Sequence, residues 1–292
     1  MVTCSVCGGA SRLMARHADG DLYRCSACTH CFSDPNLTDL PTYSPEYFEI
    51  EHQRWFANPN VGLFAAIAAA FPRGASVLDA GCGRGDFLRF VRSTRPDLAL
   101  TGIDLSLNQD VSGIRFLHGD FLETPIDRQF DAVVSLQVIE HVTDIRAFVE
   151  RLRALTKTTG TITVSTVNES SLLYGLARTG NRIGVPLAFN RLYSRQHLHH
   201  FTTRSLRTLL ERGGLRIESE MTHNAPLAAI DIPVSSRVAD AILRSGMWLV
   251  CKMGDATRRA YLQTITCRNI DIALSQPDDR RLGRDARLSQ RA

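Results

Sequence analysis

Two pairs of cysteines near the N-terminus have the spacing of a metal site. Cys4 and Cys7 are separated by two residues, as are Cys25 and Cys28, and 17 residues lie between the pairs. Four thiolates presented from two tight turns are typical of a tetrahedral zinc site. A segment of about 30 residues buries too little apolar surface to fold alone, so a metal is physically motivated. These four cysteines therefore predict a structural Zn²⁺ ion.

The fourth zinc ligand has alternatives close by in the sequence. His30 or Cys31 could replace Cys28, although the symmetric pair of Cys-x2-Cys turns is the simpler choice. Two disulfides are disfavoured because the chain starts without a basic and then apolar leader, which indicates a reducing compartment. We expect a cytoplasmic protein that begins with a small zinc ribbon.

A glycine-rich turn follows the first apolar run after residue 75. Asp79, Gly81, Gly83 and Gly85 alternate with other residues, a spacing that differs from the GxGxxG of dinucleotide-binding proteins. Glycines between a strand and a helix let the backbone approach the charged part of a nucleotide-like ligand. The carboxylate of Asp79 would repel a pyrophosphate but attract a cationic amino acid group. The turn therefore favours a ligand that carries such a group.

Two more carboxylates follow the next predicted strands. Asp104 ends the second strand, where a carboxylate can accept both hydroxyls of a ribose. Asp120 follows the third strand, where it can accept an adenine amino group, and the neighbouring Phe121 can stack on the base. Together with the glycine turn, these residues predict a nucleoside-containing ligand.

Short β-rich runs alternate with helical segments from residue 75 onward. Strands separated by helices indicate a parallel, doubly wound α/β sheet of the Rossmann-like type with helices on both faces. Ligands of such sheets bind at the carboxyl ends of the strands. The seven predicted strands cover residues 76–79, 99–104, 114–117, 130–135, 160–165, 215–218 and 261–267.

The chain divides into the predicted zinc ribbon, a helical lead-in, the α/β domain and a polar tail that we expect to be disordered. Two insertions of the domain are expected to carry specificity. The first is a predicted lid with Tyr174, Phe189 and Tyr193, and the second holds an apolar helix with Trp248 that packs in the core or forms a homodimer contact. The boundaries are 1–34, 35–73, 74–270 and 271–292, with insertions at 168–200 and 224–258.

The motifs of the α/β domain resemble those of class I S-adenosylmethionine-dependent methyltransferases. Residues 77–85, Ile103–Asp104, Gly119–Asp120 and residues 130–133 carry the resemblance, which extends over about residues 70–222. It implies S-adenosylmethionine as cofactor, with the methionine part near Gly81 and Gly83, the ribose on Asp104 and adenine near Asp120. The implied binding residues are Asp79, Gly81, Gly83, Asp104, Leu105, Asp120, Phe121 and Gln137.

The cysteine pattern adds a second resemblance. A zinc ribbon followed by this domain is similar to bacterial small-molecule methyltransferases, some of which modify sugars or secondary metabolites. Residues 199–215 also resemble the region before strand six of those enzymes. The resemblance implies methyl transfer to an oxygen or carbon atom of a small-molecule acceptor.

A histidine cluster supplies candidates for a catalytic base. Methyl transfer depends mainly on alignment, but an acceptor hydroxyl also benefits from a group that takes its proton. His197 and His200 are predicted as the base or as substrate-orienting groups. In an extended segment, residues 197 and 199 would point one way and residue 200 the other. The alternative is a set of surface histidines at the entry to a helix.

His141 is a third catalytic candidate. Ubiquinone-pathway O-methyltransferases carry a Glu-x2-Glu-His stretch after strand four that is implicated in a divalent metal site. This chain has Gln137, Glu140 and His141 at those positions, so the first carboxylate is missing. We therefore expect no catalytic metal here, and His141 to be structural or to line the pocket.

Charge and composition argue against other classes of function. The chain has 34 Lys and Arg against 30 Asp and Glu, a net charge of +4 that is too weak to imply nucleic acid. The longest apolar run, residues 61–71, is shorter than the about 18 residues of a membrane-spanning helix. We expect no membrane partner.

Two other functions remain as alternatives. A ribosomal or transfer RNA base methyltransferase would need a more basic ribbon than residues 1–34, where three arginines face three aspartates. Strand four also ends at Ser135-Leu136-Gln137 rather than in the Asn/Asp-Pro-Pro-aromatic turn typical of enzymes that methylate exocyclic base amines. A non-catalytic partner subunit is the second alternative, against which the intact cofactor motifs argue.

Overall fold

A computed structural model describes residues 2–17, 19–34, 53–106, 108, 111–230 and 236–270. The predicted disordered tail at 271–292 and residues 35–52 of the predicted lead-in lie outside the described residues. The remainder of the lead-in forms two helices on either side of Pro59: α1 (Gln53–Ala57) and α2 (Val61–Ala69).

The N-terminal segment folds into an antiparallel ribbon. Its strands pair in chain order, and the ribbon lies against the α/β domain. Arg146 Nε donates to the Ser5 carbonyl oxygen at 2.5 Å, and Arg212 Nη1 donates to that of Cys7 at 2.9 Å. The strands are β1 (Val2–Thr3), β2 (Ala10–Ala15), β3 (Leu22–Cys25) and β4 (Cys31–Ser33).

Seven further strands form the central sheet in the order β11-β12-β9-β8-β5-β6-β7, which confirms the predicted doubly wound, seven-stranded fold. The expectation of a parallel sheet is wrong for β12, which runs antiparallel to both of its neighbours because it inserts between β11 and β9. The strands are β5 (Ser76–Ala80), β6 (Ala99–Asp104), β7 (Ile114–His118), β8 (Phe130–Leu136), β9 (Thr156–Val167), β11 (Leu215–His223) and β12 (Leu262–Asn269).

Helices cover both faces of this sheet, because successive strand residues point to opposite sides. Val77 packs with α2 and α3 on one face, and Leu78 packs with α4 and α7 on the other. Thr202 is the N-cap of α7 and forms a capping box with Ser205. The helices are α3 (Asp86–Thr94), α4 (Ile145–Ala154) and α7 (Thr203–Arg212).

The first insertion joins the domain to the ribbon. It forms α5 (Leu172–Arg182), α6 (Leu187–Leu192) and a short strand β10 (His199–His200), which pairs antiparallel with β4 as a fifth strand of the ribbon sheet. Tyr174, Phe189 and Tyr193 of the predicted lid are buried in one cluster with Leu22 of the ribbon.

The second insertion contains the long helix α8 (Arg237–Ala256), which agrees with the predicted apolar helix. Its apolar side chains are largely exposed in the single chain, including Trp248 at 51%. Packing in the core therefore does not describe Trp248, and a homodimer contact stays a prediction. Within the described part of the chain, no helix combines the length and apolar character needed to cross a membrane.

Candidate active site

The four predicted zinc ligands come together in the ribbon. Their sulfur atoms all lie within 4.8 Å of one another, with Cys4 Sγ 3.6 Å from Cys28 Sγ and Cys7 Sγ 3.4 Å from Cys25 Sγ. Zinc–sulfur bonds of about 2.3 Å place the sulfurs of a tetrahedral site about 3.8 Å apart. The hydrogen bond between the two thiols lowers the pKa of Cys4 to about 5 and raises the pKa of Cys28, so the pair holds one thiolate before a metal binds. The donor set therefore fits zinc.

The two alternative ligands are engaged elsewhere. His30 is fully buried, and its Nε2 lies 3.0 Å from His199 Nδ1. The thiol of Cys31 is buried 3.7 Å from the sulfur of Met14. Both side chains lie where the ribbon meets the first insertion, so the structure favours Cys28 over either of them as the fourth ligand.

A cavity of about 780 Å³ lies at the carboxyl ends of β5, β6 and β8. One part, which we call the glycine-loop end, is formed by all eight residues predicted to bind a cofactor. The other part, the histidine end, is formed by Glu140, His141 and His197. The residues of the glycine-loop end are Asp79, Gly81, Gly83, Asp104, Leu105, Asp120, Phe121 and Gln137.

The backbone of the glycine turn requires glycine at its first position. Gly81 has a φ of +77°, and a Cβ atom there would lie 2.4 Å from the Val138 side chain. Gly83 donates its backbone N–H to Asp104 Oδ2 at 2.8 Å, which ties the turn to the end of β6. The backbone therefore forms part of the cavity wall directly, without side chains in between.

The carboxylate of Asp104 is held in place by the backbone. Besides Gly83, the N–H of Ser106 donates to its Oδ1 at 2.8 Å. Each oxygen keeps a further lone pair, so the carboxylate can still accept hydroxyl groups from a ligand. Phe121 lines the same end and packs edge-to-face on Phe148, with ring centroids 5.2 Å apart.

Asp79 is a buried carboxyl group with an unused acceptor. It is 2% exposed, and its Oδ1 has no hydrogen-bond partner among the described residues. Burial, together with the charge of Asp104, raises the pKa of Asp79 to about 8. A cationic ligand group in this cavity would satisfy the oxygen and restore the carboxylate.

The histidine end brings three polar groups from two segments together. Donor atoms of Glu140, His141 and His197 lie within 4.8 Å of one another. Glu140 is fully buried and its Oε2 accepts from Thr166 Oγ1 at 2.7 Å, whereas its Oε1 has no hydrogen-bond partner among the described residues. Burial raises the pKa of Glu140 to about 7. His141 Nδ1 donates to the Gln196 carbonyl oxygen at 2.6 Å, which leaves Nε2 as its acceptor atom.

The other two histidines of the cluster lie outside the cavity. His200 is fully buried, with its Nδ1 3.1 Å from the Tyr174 hydroxyl, and His199 faces His30 of the ribbon. The predicted alternation, with residues 197 and 199 on one side, does not hold because β10 begins only at His199. Of the three predicted catalytic histidines, the structure brings His141 and His197 to the cavity and leaves His200 apart from it.

Comparison with protein families identifies the domain. Residues 51–220, more than half of the chain, match the family model described as a methyltransferase domain. The chain belongs to this methyltransferase family. The seven-stranded sheet and the motifs along its strand ends are those of class I S-adenosylmethionine-dependent methyltransferases.

Curated relatives match a shorter stretch of the methyltransferase. A ubiquinone biosynthesis O-methyltransferase of Rhodopseudomonas palustris is 37% identical over 117 residues, which cover 37% of this chain and 46% of that protein. A mitochondrial ubiquinone biosynthesis O-methyltransferase of Dictyostelium discoideum is 33% identical over 122 residues, covering 35% of this chain and 38% of that protein. The chain thus spans less than half the length of these relatives.

Solved structures agree on the fold. The phosphoethanolamine N-methyltransferase 2 of Haemonchus contortus, solved in complex with S-adenosylmethionine, superposes with a TM-score of 0.53. The sequences are 17% identical, and the match covers 78% of this chain and 58% of that chain. At this level of identity the similarity concerns the fold of the methyltransferase.

Two groups of cavity residues are not predicted from the sequence as site residues. Glu140 enters the predictions only as part of an incomplete metal motif, although a glutamate directly before a histidine after strand four could have indicated a polar group of the site. Trp55, Phe56 and Phe64 of α1 and α2 also line the cavity. Their helices were predicted, but nothing local in the sequence indicates that they turn toward the strand ends.

Proposed function

We propose that this protein transfers a methyl group from S-adenosylmethionine to an oxygen atom of a small-molecule acceptor. One observation carries the proposal: a single cavity joins an unpaired buried carboxyl group at the glycine-loop end to a Glu–His–His group at the histidine end. The names of the curated relatives support transfer to oxygen. The resemblance to bacterial small-molecule methyltransferases that begin with a zinc ribbon favours a sugar or secondary metabolite as acceptor.

The glycine-loop end would hold the cofactor. Asp79 would pair with the ammonium of the methionine part, and Asp104 would accept the ribose hydroxyls. Asp120 and Phe121 would contact adenine, and Leu105 and Gln137 would complete the wall. S-adenosylmethionine supplies a methyl group that its sulfonium already activates, so the protein's task is to align the acceptor with it.

The histidine end would receive the acceptor hydroxyl and its proton. His141 presents Nε2 as an acceptor because its Nδ1 donates to Gln196. His197 lies beside it, and the buried Glu140 stabilises the imidazolium that forms when either ring takes a proton. The same three groups could also bind a divalent metal ion. Metal analysis distinguishes the two cases, because a metal site here would add a second equivalent to the zinc of the ribbon.

The wall of the cavity favours an acceptor with an apolar body. Aromatic side chains of α1 and α2 and Tyr261 line it, while the polar groups are concentrated at the two ends. Such a distribution fits a hydroxylated ring compound whose hydroxyl points to the histidine end. Among the described residues that line the cavity, Arg84 is the one arginine or lysine, whereas a site for a nucleic acid backbone requires several basic residues.

The cysteines and helix α8 bear on the compartment and the assembly of the protein. No disulfide joins any of the eight cysteines, all of which are described, and this fits a reducing compartment, so we place the protein in the cytoplasm. The exposed apolar side chains of α8 fit a homodimer contact.

The deciding experiment is transfer of labelled methyl groups from S-adenosylmethionine into separate RNA and small-molecule fractions of a cell extract. We expect label in a small-molecule fraction, and much less label with Asp104→Ala at the same cofactor concentration. Label in RNA would support the alternative of a base methyltransferase. Binding of S-adenosylmethionine without transfer to either fraction would support a non-catalytic subunit.

A further inference from the structure

Residues 195–200, which we call the strap, run between the zinc ribbon and the cavity. We infer that the ribbon is a working part of the acceptor site: by pairing with the strap, it sets the position of His197. The inference rests on the proposed function for the meaning of the histidine end. The coupling between the ribbon and the strap depends only on the contacts described below, and it can be tested without an acceptor.

One edge of the strap is bonded to the ribbon along its length. The backbone N–H of Arg195 donates to Asp19 Oδ2 at 3.2 Å, and the N–H of Ser33 donates to the Leu198 carbonyl oxygen at 2.9 Å. Ser33 Oγ donates to the carbonyl oxygen of His197 at 3.3 Å. The strap then continues as β10, with His199 opposite Phe32 of β4. The end of the strap, His199–His200, is therefore a strand added to the ribbon sheet, and the residues before it are tied to the ribbon by single hydrogen bonds.

The other side of the strap belongs to the cavity. Gln196, His197 and Leu198 are among the residues that line it. The N–H of Leu198 donates to the carbonyl oxygen of Glu140 at 2.8 Å, and the carbonyl oxygen of Gln196 accepts from His141. A displacement of the strap would thus move His197 and remove the partner that orients His141.

A buried charge cluster adds a second connection. Glu169 follows β9 at the start of the first insertion and is 1% exposed. Its Oε1 receives Arg24 of the ribbon, Arg178 of α5 and, at 2.8 Å, the Tyr193 hydroxyl. A buried carboxylate that loses one of two cationic partners is destabilised, so Arg24 holds the insertion that leads into the strap.

The metal site explains why so small a ribbon can hold the strap in place. Strands of two to six residues do not order themselves without a staple, and the Cys25 and Cys28 turn lies directly between β3 and β4. Removing the metal would therefore loosen β4, the strand to which the strap is bonded. The glycine-loop end is held by bonds between its own loops, such as Gly119 N–H to the Asp104 carbonyl oxygen at 2.9 Å. These bonds do not involve the ribbon, so we expect the loops of the glycine-loop end to keep their geometry when the metal is removed, although Phe121 shares a core cluster with ribbon residues such as Phe32.

Hydrogen exchange of the full-length protein tests the coupling without an acceptor. Two pairs of variants serve as matched tests and controls: Arg24→Ala against Arg12→Ala on the neighbouring strand, and Asp19→Ala against Asp21→Ala in the same loop. Among the described residues, neither Arg12 nor Asp21 forms a hydrogen bond or an ion pair with the strap, and Arg12 is exposed. We expect amide exchange of the strap peptide to rise about tenfold or more in the test variants and after zinc removal with 1,10-phenanthroline. It should stay within twofold in the controls.

Two further readouts separate positioning of the strap from general loss of structure. Ring-labelled histidine spectra should show a shifted His197 resonance, assigned with His197→Gln, in both test variants but in neither control. Arg24→Lys, which keeps the cation, should restore most of the protection of the strap. The affinity for S-adenosylhomocysteine should stay within threefold of the parent in every variant.

Unchanged exchange of the strap and an unchanged His197 resonance in Arg24→Ala and Asp19→Ala would overturn the inference. So would equal effects in the test and control variants. If the parent protein fails to bind S-adenosylhomocysteine, the proposed function fails, whereas the exchange data still decide whether the ribbon holds the strap.

Discussion

The two ends of the cavity are built in different ways. The glycine-loop end comes mainly from residues 79–121, where each strand of the sheet contributes the loop at its own carboxyl end. The histidine end combines residues 140–141 with a strap 55 residues further along the chain, and the strap in turn is bonded to the first 34 residues. Under the proposed function, binding of the cofactor would therefore depend on local loops, and binding of the acceptor would depend on the docking of distant segments.

We expect the largest effect from removing the zinc site, which tests whether the histidine end depends on the ribbon. A Cys4→Ser, Cys7→Ser double substitution should abolish binding of the about one equivalent of zinc per chain and reduce methyl transfer at least 100-fold, because the ribbon loses its staple. Cofactor affinity should stay within threefold. Metal analysis, transfer assays and titration calorimetry measure the three quantities, with Cys251→Ser as the matched control. Equal losses of transfer and of cofactor affinity would show that the two ends are not independent.

The next effect separates the two histidine candidates. His197→Ala should lower turnover by about 100-fold or more at unchanged cofactor affinity, because a ring in the cavity takes the acceptor proton. His200→Gln keeps a partner for the Tyr174 hydroxyl outside the cavity and should leave turnover within a few-fold of the parent. The measurement is the rate of methyl transfer to the acceptor found in extracts. A large loss with His200→Gln and none with His197→Ala would reverse the assignment.

A smaller effect concerns the glycine-loop end. Asp104→Ala should weaken S-adenosylmethionine binding by roughly 2–3 kcal/mol, because two charge-assisted hydrogen bonds to the ribose are lost together. Asp127→Ala, an exposed aspartate, should leave the affinity unchanged. Calorimetric titration gives both values. Equal affinity of mutant and parent, or equal binding of NAD, would contradict the assignment of this end.

The smallest effect is the pH dependence of cofactor binding. Because the pKa of Asp79 is raised to about 8 by burial, the free protein carries the neutral acid at pH 7. A bound ammonium favours the carboxylate, so binding releases a proton. Affinity should rise with pH by up to about tenfold per unit below about pH 8 and fall again above it, because the α-amino group of the free ligand loses its proton there.

Calorimetry in two buffers of different ionisation enthalpy measures the released proton. In Asp79→Asn the proton release and the pH dependence below 8 should both disappear. An affinity of the parent that is constant between pH 6 and 8 would mean that Asp79 is already ionised, or that it does not face the cation.

The sequence by itself determined the features that depend on neighbours along the chain. The spacing of Cys4, Cys7, Cys25 and Cys28 and the strand–turn–helix around Gly81 are local patterns, and each imposes its geometry over a few residues. The alternation of strands and helices predicts a doubly wound sheet of seven strands, but not the antiparallel insertion of β12 between β11 and β9. All eight predicted cofactor residues line one cavity.

Only the tertiary structure decided which distant groups meet. His197 and His200 are alike in sequence context, yet one lines the cavity and the other is buried beside Tyr174. His200 belongs to β10, which pairs with β4, whereas His197 precedes the strand and is tied to the ribbon through its carbonyl oxygen. The contacts of Arg24 with Glu169 and of His141 with Gln196 close loops of 145 and 55 residues. Periodicity and spacing in the sequence indicate a helix or a turn, but they carry no information about contacts between residues so far apart in the chain. Those contacts depend on how the whole chain packs.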